Sequence, residues 1–307
     1  DLSLLGTRRA PVPLDDPDRE TSGRRLAWAR SLVDGRHPLV GRVWVNRIWA
    51  QHFGVGLVPS LGDFGQLGDR PSHPELLDRL AIDLARGDWS GKVFHRRIVT
   101  SSAYRQSSAR RTTLERLDPD NRLWGRMSVR RLETEAIRDA QVGASGALHR
   151  RRYGPAVPVT RDDVGQIILG SGERDGNGIL IGKEENLGVE RFRRSIYLQV
   201  RRSMPLSVLE PFDPPTLDPN CTLRDVSTGP NQALLMMNGR FVIERARRLA
   251  EDARREGAGD LQRQLRSAWR RTFGSRPSDE EMIEGLAFLL EQQQRFCLLY
   301  TSDAADE

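Results

Sequence analysis

Apolar positions recur at helical spacing over most of the chain, and the predicted elements follow from that period. A first helix runs from about Arg24 to Val33 and stops before Asp34-Gly35. Pro38 suits the first turn of a second helix that reaches about Phe53 and is closed by Gly54. That helix carries Leu39, Val40, Val43, Trp44, Val45, Ile48, Trp49 and Phe53 on nearly every face, which predicts a buried central helix. Arg42, Asn46 and Arg47 then become inner polar groups that need partners. A Gly-rich loop spans 54–68, after which Ser72 and Glu75 match a capping box at the start of a third helix. Leu76, Leu77, Leu80, Ala81, Leu84 and Ala85 give that helix one apolar stripe, and Gly87 ends it. Ser90 caps a fourth helix with Val93, Phe94 and Ile98 inward, and a fifth, after Ser128, carries Leu132, Ala136, Ile137 and Ala140.

The pattern changes over about 150–192, where Gly and Asp are frequent and the short apolar runs Val164 to Leu169 and Gly178 to Ile181 suggest small strands. Arg193 to Arg202 alternates Ile196, Leu198 and Val200 with Tyr197, Gln199 and Arg201, and reads as the best strand of the chain. A Pro-rich loop (Pro205, Pro211, Pro214, Pro215, Pro219) leads to Pro230, and four helices are predicted beyond it, over 232–238, 240–255, 261–273 and 278–294. The fold class is therefore mainly α: one large helical domain over 21–294 with a small strand-containing excursion around residues 160–202. Residues 1–20 are polar and Pro-rich and read as a linker from a missing upstream region. Residues 295–307 follow a helix without a cap or turn signal and depart from the Arg-rich text before them, so they read as a non-native read-through tail.

Composition narrows the classes. The 307 residues are 37% hydrophobic and 29% charged, which suits a globular core, and no run of 18 apolar residues offers a membrane span. The formal net charge is +6, and of 48 basic side chains only Lys92 and Lys183 are lysines. The arginines are interleaved with acids, as Arg70, Arg79 and Arg86 are with Glu75, Asp78 and Asp83, so the balance reads as a mixed solvated surface and not as a nucleic-acid interface. Cys221 and Cys297 form no C-x-x-C or C-x-x-C-H motif, so no haem or metal cofactor is expected in this segment.

Several blocks are individual enough to carry a resemblance. They are Leu39-Val-Gly-Arg-Val-Trp-Val-Asn-Arg-Ile-Trp-Ala-Gln-His-Phe-Gly-Val-Gly-Leu-Val58, Asp63-Phe-Gly with Pro71-Ser-His-Pro-Glu-Leu-Leu77, Gly87-Asp-Trp-Ser-Gly-Lys92 with His95, and Ser101-Ser-Ala-Tyr-Arg-Gln-Ser107. Arg130-Arg-Leu-Glu-Thr-Glu-Ala-Ile-Arg-Asp139, Arg193-Arg-Ser-Ile-Tyr197, Phe212-Asp-Pro-Pro215 and Pro230-Asn-Gln-Ala-Leu-Leu-Met-Met-Asn238 follow in order, as does Phe273 with Arg276-Pro-Ser-Asp-Glu280. Together they resemble the planctomycete-type domain of unknown function numbered fifteen fifty-three, over roughly 21–294. The resemblance implies an exported setting, periplasmic or at the cell surface. It also implies an upstream cytochrome c-like domain of the same polypeptide that would hold the haem, with a second uncharacterised domain between. It supplies no catalytic residues.

Candidate chemistry comes from polar residues that the pattern places inside or at loops. Asn46, Arg47 and His52 lie on the central helix and form either an anion-binding inner face or internal ties. Asp63, Arg70 and His73 bracket the Gly-rich loop and a helix start; His73 is either a cap or a general base oriented by Asp63. His95 is a second candidate base, and a His73–His95–Asp63 metal set has suitable ligand types but no i, i+4 His pair. Glu133, Glu135 and Asp139, interleaved with Arg131 and Arg138, predict a salt-bridged surface. Arg201, Arg202, Asp213, Asp218 and Arg224 surround the Pro-rich loop and either bind a ligand or pin the loop. The functional expectation is an accessory domain that binds or processes an anionic extracellular polymer, such as an acidic polysaccharide. The alternatives are a structural or interaction scaffold and a hydrolase using His73 and Asp63.

Overall fold

The computed structural model describes residues 18, 20–35, 37–162, 164–172, 187–216 and 221–303, with side chains up to residue 296. The run Gly178 to Ile181, Asp218, Pro219 and the side chain of Cys297 lie outside the described residues. The fold is mainly α, with eleven α-helices and one two-stranded sheet among the described residues. None of those helices is long and apolar enough to cross a membrane. The chain divides into two compact units, residues 1–130 and 131–307.

In the first unit, α1 (Arg24–Val33) precedes α2 (Val40–Phe53), α3 (Pro74–Arg86) and α4 (Gly91–Thr100), and two short helices follow, α5 (Ser102–Arg105) and α6 (Thr112–Leu117). The central helix is α2, as its all-round apolar sequence implies: Val45, Asn46, Ile48, Trp49 and Phe53 are buried. Leu77, Leu80 and Leu84 of α3 and Phe94 and Ile98 of α4 close the same core, and Trp124 stacks edge-on to Trp49 and Phe53. The start of α2 is held by His37, whose Nδ1 accepts from the amides of Leu39 and Val40 at 3.2 and 3.3 Å. The expected capping box at Ser72 does not form. His73 takes the N-cap position of α3 and Pro74 opens the helix, while the Ser72 hydroxyl donates back to Leu57 O at 3.2 Å.

The second unit opens with α7 (Thr134–Ala144), six residues beyond Ser128, so Leu132 lies outside the helix and is exposed. β1 (Val159–Arg161) and β2 (Ile167–Leu169) pair antiparallel, Val159 opposite Leu169, and sit on a small core with Val157, Leu198 and Leu206. Then come α8 (Pro230–Asn238), α9 (Arg240–Gly257), α10 (Leu261–Phe273) and α11 (Asp279–Asp303). A reciprocal capping box does form at α11: Ser278 N–H donates to Glu281 at 2.7 Å and Ser278 Oγ accepts from Glu281 N–H at 3.2 Å. Residues 193–202 are not a strand. Gly188–Phe192 and Ser195–Tyr197 are 3₁₀ turns, and the isolated bridges His149–Arg193 and Val157–Leu198 pair this stretch with neighbouring backbone.

Candidate functional site

A cleft of about 770 Å³ lies within the second unit, between α7 and the chain over 194–216. Its floor is aliphatic: Leu198, Leu206, Leu209, Met204 and Ile196 contribute, with Pro205, Pro214 and Pro215. The alternation that suggested a strand does not sort the residues into two faces here: Ile196, Leu198 and Val200 line the cleft, but so do Gln199 and Arg201, and only Leu198 is buried. Glu133, Glu135 and Asp139 of the α7 side and Arg194, Arg201 and Arg202 of the opposite side supply the charges.

The acids are already engaged. Arg224 donates to Glu135 at 2.6 Å and lies 3.6 Å from Glu133. Asp139 Oδ1 accepts from the amide and the hydroxyl of Ser195, both at 2.7 Å, and Arg194 approaches its Oδ2 at 3.5 Å. Arg201 and Arg202 are exposed at the rim.

Behind this wall stands Arg138, which the pattern placed on a salt-bridged surface and which is in fact 1% exposed. It occupies the inner face of α7 between Thr134 and Val142, one turn away on either side and both buried. Its guanidinium donates to Arg193 O at 3.0 Å, Arg191 O at 2.8 Å and Ser195 Oγ at 3.2 Å. Burial pushes its pKa down to about 10, against the pull of the Asp139 carboxylate. Arg193 is equally buried, donates to Tyr153 O and Pro155 O at 2.6 and 3.0 Å, and lies over the Tyr197 ring. Arg138 therefore serves the carbonyls of Arg191 and Arg193, while Arg193 serves those of Tyr153 and Pro155. The i±4 spacing of Arg138 to Thr134 and Val142 was the sequence signal for its burial.

Asp213 closes the loop. Its left-handed backbone (φ 55°) turns the chain, and its carboxylate takes Arg131 Nη2 at 2.6 Å together with the amide and hydroxyl of Ser227, both at 2.8 Å. The Arg131 hydrogen bond, then those from Ser227, hold the Asp213 carboxyl at about 2. Asp213 thus pins the loop, and Arg224 restrains the acidic wall.

In the first unit, Asn46 and Arg47 part company. Asn46 is fully buried and serves Val58, whereas Arg47 faces solvent, so the two do not make an inner anion-binding face. Neighbours on a helix differ by about 100° in direction, which forces this split. Asp63 Oδ1 accepts from Gly65 N–H at 2.7 Å, Arg70 is exposed, and His73 Nδ1 lies 3.1 Å from Ser72 Oγ. No hydrogen bond or ion pair joins His73 to Asp63 among the described residues. His95 meets His52 instead, with Nδ1 2.7 Å from His52 Nε2. Among the described residues no three His, Cys, Asp or Glu side chains are grouped as a metal would need.

These features define a mainly α protein with a charged-rim, aliphatic-floored cleft in its second unit and two buried arginines nearby. The chain belongs to the family described as PSD1: Protein of unknown function (DUF1553), whose model matches residues 24–289. No curated protein and no solved structure matches the chain.

Proposed function

We propose that this chain is a binding domain whose cleft beside α7 takes an anionic chain molecule, an acidic polysaccharide in the exported, haem-linked setting that the family resemblance implies. The observation that carries this reading is the asymmetry of the cleft's charges. Its acids are engaged from within the fold, Glu135 by Arg224 and Asp139 by Ser195 and Arg194, while Arg201 stands exposed at the rim. An arginine fork matches a carboxylate or sulfate in two hydrogen bonds, and the aliphatic floor suits the apolar face of a chain laid along it. The upstream cytochrome c-like domain is the proposed partner on the same polypeptide.

Isothermal titration of the 307-residue chain against a sulfated polysaccharide, a polyuronate and a neutral glucan tests the reading. Binding to an acidic polymer, weakened by Arg201→Ala with Arg202→Ala, is expected. Equal affinity for the neutral glucan, or no binding to any of the three, overturns it and leaves the scaffold role.

A further inference from the structure

His52 and His95 are contributed by different helices, α2 and α4, and meet along one line. The His52 Nε2 to His95 Nδ1 distance is 2.7 Å, and the ring centres are 5.0 Å apart, the separation of two imidazoles placed head-on. Two ring nitrogens at that distance need one proton between them. With a lone pair on each they repel, and with a proton on each they clash.

We propose that His52 and His95 form an acid-sensitive clasp in which one proton shared between the facing nitrogens holds α4 against α2, and protonation of both rings, which puts a hydrogen on each facing nitrogen, opens it. Both residues are half-buried, so the pair is reachable by solvent protons yet poorly hydrated. The groups facing His52 are His95 from α4, the edge of Tyr104 from α5 at 5.5 Å between ring centres, and the charge of Arg130. None of these is an acid that would welcome a second positive charge. Burial first, then His95 and Arg130, lower the pKa of His52 below its ordinary 6.5.

The sign follows. The folded state favours neutral His52, so the clasp's contribution is complete above pH 6.5 and is lost as pH falls through the lowered value. The consequence reaches the core, because α4 also delivers Phe94 and Ile98, each 3% exposed. A clasp that lets go frees the one helix face that carries both. The first unit thereby acquires a local opening transition in mildly acidic surroundings, separate from global unfolding.

Hydrogen exchange of the full chain at about pH 7.5 and about pH 5, corrected for intrinsic exchange, reads this directly across the range where imidazoles titrate. Protection of the α4 amides is expected to fall several-fold at the lower pH, while α9 and α10 amides hold theirs. His52→Gln keeps a hydrogen-bonding partner for His95 but no longer titrates, so its α4 protection should be the same at both pH values. Should that variant fold poorly, nitrogen NMR of the wild-type imidazoles decides. The expected spectrum has one proton bridging the two rings at neutral pH, lost on acidification. Unchanged α4 protection, an equal fall in His52→Gln, or two unlinked histidine titrations would overturn the clasp.

Discussion

The side-chain amide of Asn46 pairs with both the N–H and the C=O of Val58, at 2.8 Å each. One residue of the central helix thus fixes the chain just beyond its own C-terminus, in a site where Asn46 is 0% and Val58 3% exposed. Gly56 lets the loop come that close: a Cβ there would stand 2.5 Å from Val58 O and 2.8 Å from the Asn46 amide. Asn46→Ala should therefore cost about 2–4 kcal/mol, the penalty for leaving a buried backbone donor and acceptor unpaired. Gly56→Ala should destabilise through overpacking by about 1–3 kcal/mol. Urea unfolding of the two variants checks both values.

Arg138 is expected to be indispensable to the second unit. Removing it leaves the carbonyls of Arg191 and Arg193 and the Asp139–Ser195 pair without their buried donor. Arg138→Ala should cost about 3–5 kcal/mol, and Arg138→Lys, which lacks the planar fork, should recover only part of it. Denaturation midpoints of the two variants against wild type give the measurement.

Asp213 sets an acid limit. Its folded pKa of about 2 lies below the unfolded value of 3.8, so its contribution is present above 3.8 and is lost as pH falls toward 2. Asp213→Asn preserves a side chain tolerant of the left-handed backbone but removes the charge that Arg131 and Ser227 hold. The variant should be less stable at neutral pH and flatter than wild type between pH 3.8 and 2. Melting temperature as a function of pH shows this; parallel curves would refute it.

His73→Ala should leave stability within about 1 kcal/mol of wild type, because the imidazole makes no side-chain cap and its contact is to the neighbouring Ser72. A thermal melt suffices, and a collapse would assign His73 a structural role beyond that contact.

Much of the architecture is legible along the chain. The all-round apolar run from Val40 to Phe53 names the central helix, and the stripe through Leu77, Leu80 and Leu84 names the face of α3 that meets the core. Local periodicity sees such elements because each is decided by its own residues. The stretch 193–202 misled because alternation reports only that one face is apolar. What the stretch packs against is set by distant residues, among them Arg138, more than fifty residues earlier, which donates to the carbonyls of Arg191 and Arg193. The site residues were legible as types and not as groupings. His52 and His95 stood out singly, but their meeting is a product of helix packing, and His73 and Asp63, close in sequence, are drawn to different local partners. Arg201 and Arg202, read from the sequence as flanking the Pro-rich loop, line the cleft beside it.

The most direct test of the binding reading is where an acidic polymer touches the protein. Amide chemical shifts of the chain, followed as a sulfated polysaccharide is added, should change over 133–139 and 194–216 and saturate together. Shifts confined to residues 20–130, or a spectrum that does not change at all, would contradict a binding cleft beside α7.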